Sequence, residues 1–203
     1  MQPFNVYLSW LIPAIMGQLQ MADTVAHTYP SELEYVASAL RKSHNQPLRK
    51  LYRGLLLEPY EAQAGVIFTR STIEKSVSFS EDRDVACYFA VPETIMSSFV
   101  KQQRPRVEGY VAEYTPKRQE IMWHYSWNPF TYQGMKVDIR AAARRHPASA
   151  HDPAQFDFVF GTQKEVILKP LPAHVPLPVR PVADTCPDPY SLDRRFTPPH
   201  HLP

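Results

Sequence analysis

Ten of the chain's 21 prolines, Pro170, Pro172, Pro176, Pro178, Pro181, Pro187, Pro189, Pro198, Pro199 and Pro203, crowd its last 34 residues. Proline has no amide to donate and a fixed φ, so such a stretch cannot enter a helix interior or a central strand. The core must therefore come from earlier residues, and 171–203 read as a proline-rich C-terminal tail. Two uses of this tail stay open: an extended strap lying over the domain, or a ligand for a proline-recognising partner. At the other end, 1–29 read as an N-terminal extension. Its stretch from Met1 to Gln20 is apolar, but Pro13 interrupts it, no Lys or Arg precedes it, and Asn5, Ser9, Gln18 and Gln20 dilute it. It predicts a docking strand or helix, or an upstream extension before an alternative start at Met21, in preference to a signal peptide or membrane span.

Residues 30–170 are left to form one domain, and 203 residues with 44% hydrophobic side chains carry enough apolar surface for it. Ser31 and Glu34 have the spacing of a capping box, and Leu33, Val36, Ala37 and Leu40 recur at helical spacing until Asn45 and Pro47. Short strands are predicted at Leu51 to Leu57, Val66 to Thr69, Ser76 to Ser80, Tyr110 to Tyr114, Glu120 to Trp127 and Glu165 to Leu168, and a short basic helix at Asp138 to Arg145. One early helix followed by many strands predicts an α+β domain with packed sheets as its core. Lys plus Arg total 22 against 20 Asp plus Glu, a balance too even to dictate a nucleic-acid or membrane partner. The two cysteines, Cys87 and Cys186, lie far apart and resemble neither a disulfide framework nor a metal cluster. A reduced, cytoplasmic setting with no membrane partner is expected.

Three islands carry chemistry. In Leu51-Tyr52-Arg53-Gly54-Leu55 an arginine sits inside an apolar strand, where burying a guanidinium is expensive unless it meets an anion. From Ser76 to Ala90 a strand runs into a helix: Ser80 is the expected N-cap, Glu81 and Asp82 suit the positive helix end, and Val85, Tyr88 and Phe89 make a buried stripe. Ser78 is left over, and a hydroxyl at the end of a strand can hold a nearby carboxylate in place. From Phe158 to Leu168 an aromatic loop feeds a strand, and alternation would put Gln163 and Glu165 on one face with Lys164 opposite. Each island alone also fits an ordinary role: a solvated edge arginine, a satisfied strand serine, a polar strand start.

Taken in order, the islands resemble the arginine, serine, glutamate signature of the mono-ADP-ribosyltransferases related to cholera toxin and the Rho-inactivating clostridial exoenzymes. The matching residues are Tyr52-Arg53, Ser78-Phe79-Ser80 and Gln163-Lys164-Glu165, and the resemblance spans roughly 30–170. Phe79 departs from it, standing where threonine is usual. The resemblance implies an ADP-ribosyltransferase-like split core of two packed, mainly antiparallel sheets with flanking helices, and NAD as co-substrate with no metal. It further implies that Arg53 holds a phosphate, that Ser78 positions Glu165, and that Glu165 bonds the nicotinamide ribose and stabilises its developing positive charge. Gly54, Phe79 and Ser80 would complete the NAD-binding set, with Glu165, Gln163 and Arg53 as the catalytic one.

Relatives that modify arginine generally carry glutamate where Gln163 stands. An amide cannot help deprotonate a guanidinium, but it both donates and accepts hydrogen bonds, which suits an acceptor bearing an amide or an exocyclic amine. The acceptor is then a nucleic-acid base or a protein Asn or Gln side chain. Lys101, Arg104, Arg106, Arg140, Arg144 and Arg145 flank Trp123, His124, Tyr125, Trp127, Phe130 and Tyr132, an arrangement that tilts the expectation toward nucleic acid, although the same aromatics would also serve as core. Toxin, antiviral and phage-borne members of the superfamily make an inhibitory or immunity partner a further expectation. The reading of a different class is a catalytically silent member of the fold that binds a partner. A phosphatase or nuclease finds no metal-ligand cluster and no phosphate-cradling loop among six glycines.

Overall fold

The computed structural model describes residues 2–15, 30–63, 66–67, 77–91, 106–145, 162–169 and 176–186. Its helices are α1 (Gln2–Ile15), α2 (Pro30–Ser43), α3 (Pro59–Gln63), α4 (Arg83–Ala90), α5 (Ile139–Ala143) and α6 (Val182–Thr185). Its strands are β1 (Leu51–Leu57), β2 (Val66–Ile67), β3 (Val77–Ser80), β4 (Glu108–Tyr114), β5 (Ile121–His124), β6 (Phe130–Tyr132), β7 (Met135–Val137), β8 (Glu165–Leu168), β9 (Pro176–Leu177) and β10 (Val179–Pro181). The architecture is α+β, with one antiparallel six-stranded sheet in the order β10-β4-β1-β3-β8-β5 and two two-stranded sheets, β2-β9 and β6-β7.

The six strands fall into two well-paired halves. β1 runs against β4 over seven register pairs, from Leu51↔Tyr114 to Leu57↔Glu108, and β3 against β8 over four, from Val77↔Leu168 to Ser80↔Glu165. Between the halves, β1 meets β3 at the single pair Tyr52↔Ser80. This seam is the architectural feature that positions the site.

Strand alternation sorts the core into two layers. Ala112 joins Val77, Phe79, Val166 and Leu168 in the large cluster beneath α1 and α2, whereas its neighbour Val111 joins Val85, Ala86, Cys87 and Tyr88 under α4. The capping box expected at Ser31 does not form: α2 starts at Pro30, Ser31 Oγ donates to Glu32 (2.7 Å), and Glu34 pairs instead with Arg41 (2.5 Å) and Lys169 (2.7 Å). Nor does Ser80 cap α4, whose N-cap is Asp82, accepting from the Asp84 amide (3.0 Å). The strand expected at Glu120 to Trp127 narrows to β5 between two 3-10 turns.

The first helix and the described part of the tail, 176–186, both enter this framework. Of the two docking forms expected for the first residues, the helix is the one found, and its Phe4, Tyr7, Trp10, Leu11 and Ile15 are all in the large cluster. The Tyr7 hydroxyl donates to the Met122 carbonyl (2.6 Å), which ties α1 to β5. The described part of the tail behaves as a strap: β10 pairs with the outer side of β4, and Leu177 is buried. One expectation is overturned, because Cys87 on α4 and Cys186 just after α6 form a disulfide, closing a sequence separation of 99. Sequence distance does not bear on pairing once a strap returns to the helix that carries its partner.

Candidate functional site

The three islands converge at the seam. β3 and β8 are neighbours in register, so Ser78 and Glu165, 87 residues apart, lie close enough for Ser78 Oγ to donate a short hydrogen bond to Glu165 Oε1. Across the seam, Arg53 Nη1 donates to the Ser78 carbonyl (2.6 Å), an acceptor left over where β1 and β3 part after their single pair. Glu165 is buried, and its second oxygen, Oε2, has no hydrogen-bond partner among the described residues.

The electrostatics follow from enclosure. Burial pushes the Glu165 carboxyl up to about 7, against the opposing pull of the Ser78 hydrogen bond and the Arg53 charge. Burial likewise lowers the Arg53 guanidinium, which Glu165 only partly offsets. Had mutual attraction dominated, both groups would have moved the other way, so desolvation wins on both sides. The arrangement presents a cation, a hydroxyl and a carboxylate oxygen that lacks a donor, a set able to meet a ligand carrying both negative charge and hydroxyls.

The remaining expected residues are placed less directly. Gly54 packs under α4: a Cβ there would stand 2.1 Å from the Ala86 carbonyl oxygen and 2.7 Å from the Ala90 nitrogen. Its lack of a side chain is thus a packing requirement. Phe79 points into the core, its ring 5.9 Å from that of Tyr114, away from the face of its neighbours Ser78 and Ser80. Its side chain is therefore not available to a ligand beside Ser78. Ser80 Oγ donates to the Gln163 carbonyl (2.6 Å) and accepts from the Asp82 amide (2.9 Å), fastening the turn that leads into β8. The alternation argument for Gln163 fails, because β8 begins at Glu165 and Lys164 adopts a left-handed φ of 44°. Gln163 is part-exposed on that turn, while Lys164 pairs with Asp82 (3.2 Å).

The basic and aromatic middle segment resolves into core. Trp123, Trp127, Phe130 and Tyr132 are all at most 5% exposed, so they offer no stacking platform. Arg144 and Arg145 are exposed at the end of α5; Lys101 and Arg104, and the loop from Phe158 to Gly161, lie outside the described residues. Sequence reading missed a cluster around Glu81, which accepts from the Tyr125 hydroxyl (3.0 Å) and lies 3.2 Å from His124 Nε2. The His124 ring in turn accepts at Nδ1 from the Ser126 amide (3.3 Å). No local spacing announces contacts across 43 residues.

No protein-family model, curated protein or solved structure matches this chain. Among the described residues no group of three or more His, Cys, Asp or Glu could hold a metal, and no helix is long and apolar enough to cross a membrane.

Proposed function

We propose that the chain is an NAD-dependent mono-ADP-ribosyltransferase that transfers ADP-ribose to a macromolecular acceptor bearing an amide or exocyclic amine. The observation that carries this reading is the hydrogen bond from Ser78 to Glu165 beside Arg53, which joins three otherwise unrelated segments in the order the resemblance requires. The single-pair seam between β1 and β3 supports it as the counterpart of the cleft of a split core. The residues also fit the substrate: the orphaned Glu165 Oε2 is an acceptor suited to a ribose hydroxyl, and the enclosed Arg53 is a cation suited to a pyrophosphate.

In this reading the ribose-nicotinamide bond breaks with its electron pair leaving on nicotinamide, and the anomeric carbon becomes electron-poor. Ionised Glu165, held by Ser78, stabilises that positive charge more in the transition state than in the ground state. The acceptor nitrogen then forms the new bond and releases its proton. Gln163, on the turn next to Glu165, offers both a donor and an acceptor to an amide or exocyclic amine. Of the two acceptor classes, the nucleic-acid base keeps no support from the buried aromatics, so it stands level with a protein Asn or Gln side chain.

The test is incubation with labelled NAD and whole-cell extract, followed by separate protease and nuclease digestion. Wild-type protein is expected to release nicotinamide and label one class of macromolecule, Glu165→Ala to do neither, and Gln163→Glu to cleave NAD but lose most transfer. Wild-type activity in Glu165→Ala would sink the mechanism, and absence of NAD cleavage by the wild type would leave the silent-binding alternative.

A further inference from the structure

A concave site lies near the same end of the sheet, on the face opposite Glu165. Arg41 and His44 from the end of α2, Arg49 from the loop that follows and Arg118 from the turn before β5 line it, together with Trp127 and Glu81. Val166 also lines it, and since Val166 and Glu165 are successive residues of β8 they face opposite ways. The pocket therefore opens on the α2 side, with the Glu165 carboxylate behind it.

Its charges do not cancel. Arg41 is neutralised by Glu34 at 2.5 Å and anchored on the Ile121 carbonyl (2.5 Å). Glu81 is occupied by Tyr125 and His124, and its ion pair with Arg49 is long, 3.9 Å, with the Arg49 side chain 67% exposed. Burial keeps His124 below its usual pKa, so at neutral pH its Nε2–H hydrogen-bonds Glu81 without adding charge. Arg118 donates to the Asn45 side-chain oxygen (2.6 Å) and the Gln46 carbonyl (3.3 Å), both neutral, and no carboxylate lies within ion-pair reach of it among the described residues. Two guanidiniums from separate segments thus face one opening with at most one distant carboxylate between them.

We propose that this pocket binds a phosphate ester group. A planar carboxylate is filled by one guanidinium fork, whereas a tetrahedral phosphate presents oxygens to two forks arriving from different directions. The organic part has a wall to lie on, since the His44 ring stacks on Trp127 at 5.6 Å and Leu48, which also lines the pocket, is 45% exposed. The ester is either a free nucleotide or a phosphodiester within a nucleic-acid strand; the binding chemistry is shared.

Calorimetric titration with inorganic phosphate, a 5′-mononucleotide and a single-stranded oligonucleotide without terminal phosphates distinguishes these sources. Wild-type protein is expected to bind phosphate and mononucleotide, and Arg49→Gln/Arg118→Gln to bind them at least tenfold more weakly. The single Arg49→Gln change, at an exposed side chain, is expected to lose several-fold affinity without altering the melting temperature. Oligonucleotide binding that weakens in the same variants and falls steeply with salt assigns a strand, and its absence assigns a free phosphate ester. Equal affinities in wild type and the double variant, or no phosphate binding by the wild type, would overturn the proposal. NAD cleavage is not read in this experiment, so its outcome is separate from that of the transferase reading.

Discussion

At the scale of single residues, Glu165 combines an expected chemical use with a cost to the fold. Below about pH 4.5 its carboxyl is protonated in both folded and unfolded chains, and above about 7 it is ionised in both. Between these values the folded chain holds the extra proton, so stability falls as pH rises, by about 3 kcal/mol in total for a shift of this size. Glu165→Gln removes the buried charge and can keep the Ser78 contact. It is expected to melt several degrees higher than wild type at pH 8 and at nearly the same temperature at pH 4.5, as differential scanning calorimetry would read. A lower melting point at pH 8 would show that the carboxylate is stabilised by groups other than Ser78 and Arg53. Arg53, Ser78 and Glu165 stood out in the sequence only through their joint order, since each alone also fits an ordinary role; the structure brings the three together. The placement of Phe79 and Gln163 was not legible, since the direction of a side chain depends on where a strand begins, and one left-handed residue at Lys164 moves that point.

Elements were legible where hydrophobic period and length agreed: α2, β1, β3, β4 and β8 lie within a residue or two of expectation. The aromatics of the 118–132 stretch left surface and core both open, because such residues look the same in sequence in either place; the structure puts Trp123, Trp127 and Phe130 in the core, with β5 between the turns at Arg118–Glu120 and Tyr125–Trp127. The contact between α4 and the sheet sets the tightest demand on any element. Gly54 and Gly109 lie on the same face as Val111, and a Cβ on Gly109 would come within 2.0 Å of the Ala90 carbonyl oxygen. The obstacles are backbone atoms, which cannot swing aside as a side chain can. Gly54→Ala must therefore lift α4 or bend β1 beside Arg53. The expected result is destabilisation by about 3 kcal/mol in chemical denaturation, together with loss of activity. A variant as stable as wild type would mean that α4 sits farther from the sheet.

For the molecule as a whole, the decisive fact is that α1 and the described part of the tail are both built in. α1 fills one layer of the core, and the strap reaches both, with Leu177 buried in the same large cluster as α1 and the Cys87–Cys186 bond in the layer under α4. Truncation after Lys169 is expected to abolish cooperative melting. Cys186→Ser should keep the fold but lower its stability, by about 4 to 5 kcal/mol on chain-entropy grounds for a loop of this length. Identical melting of Cys186→Ser and wild type under oxidising conditions would show that the bond is not formed. The strap was one of the two uses open to a proline-rich tail, but the disulfide was hidden, because two distant cysteines give no framework and proline content does not say what a segment lies against. The prolines also bear on how the molecules treat one another. An open sheet edge is a template on which a second chain can add, and its danger grows with the number of amides it presents. From Pro178 to Pro181 the outermost strand has only two, those of Val179 and Arg180. The segment least able to build a sheet therefore finishes one of its two edges, the one opposite β5, and a crowded solution of this protein meets little to copy there.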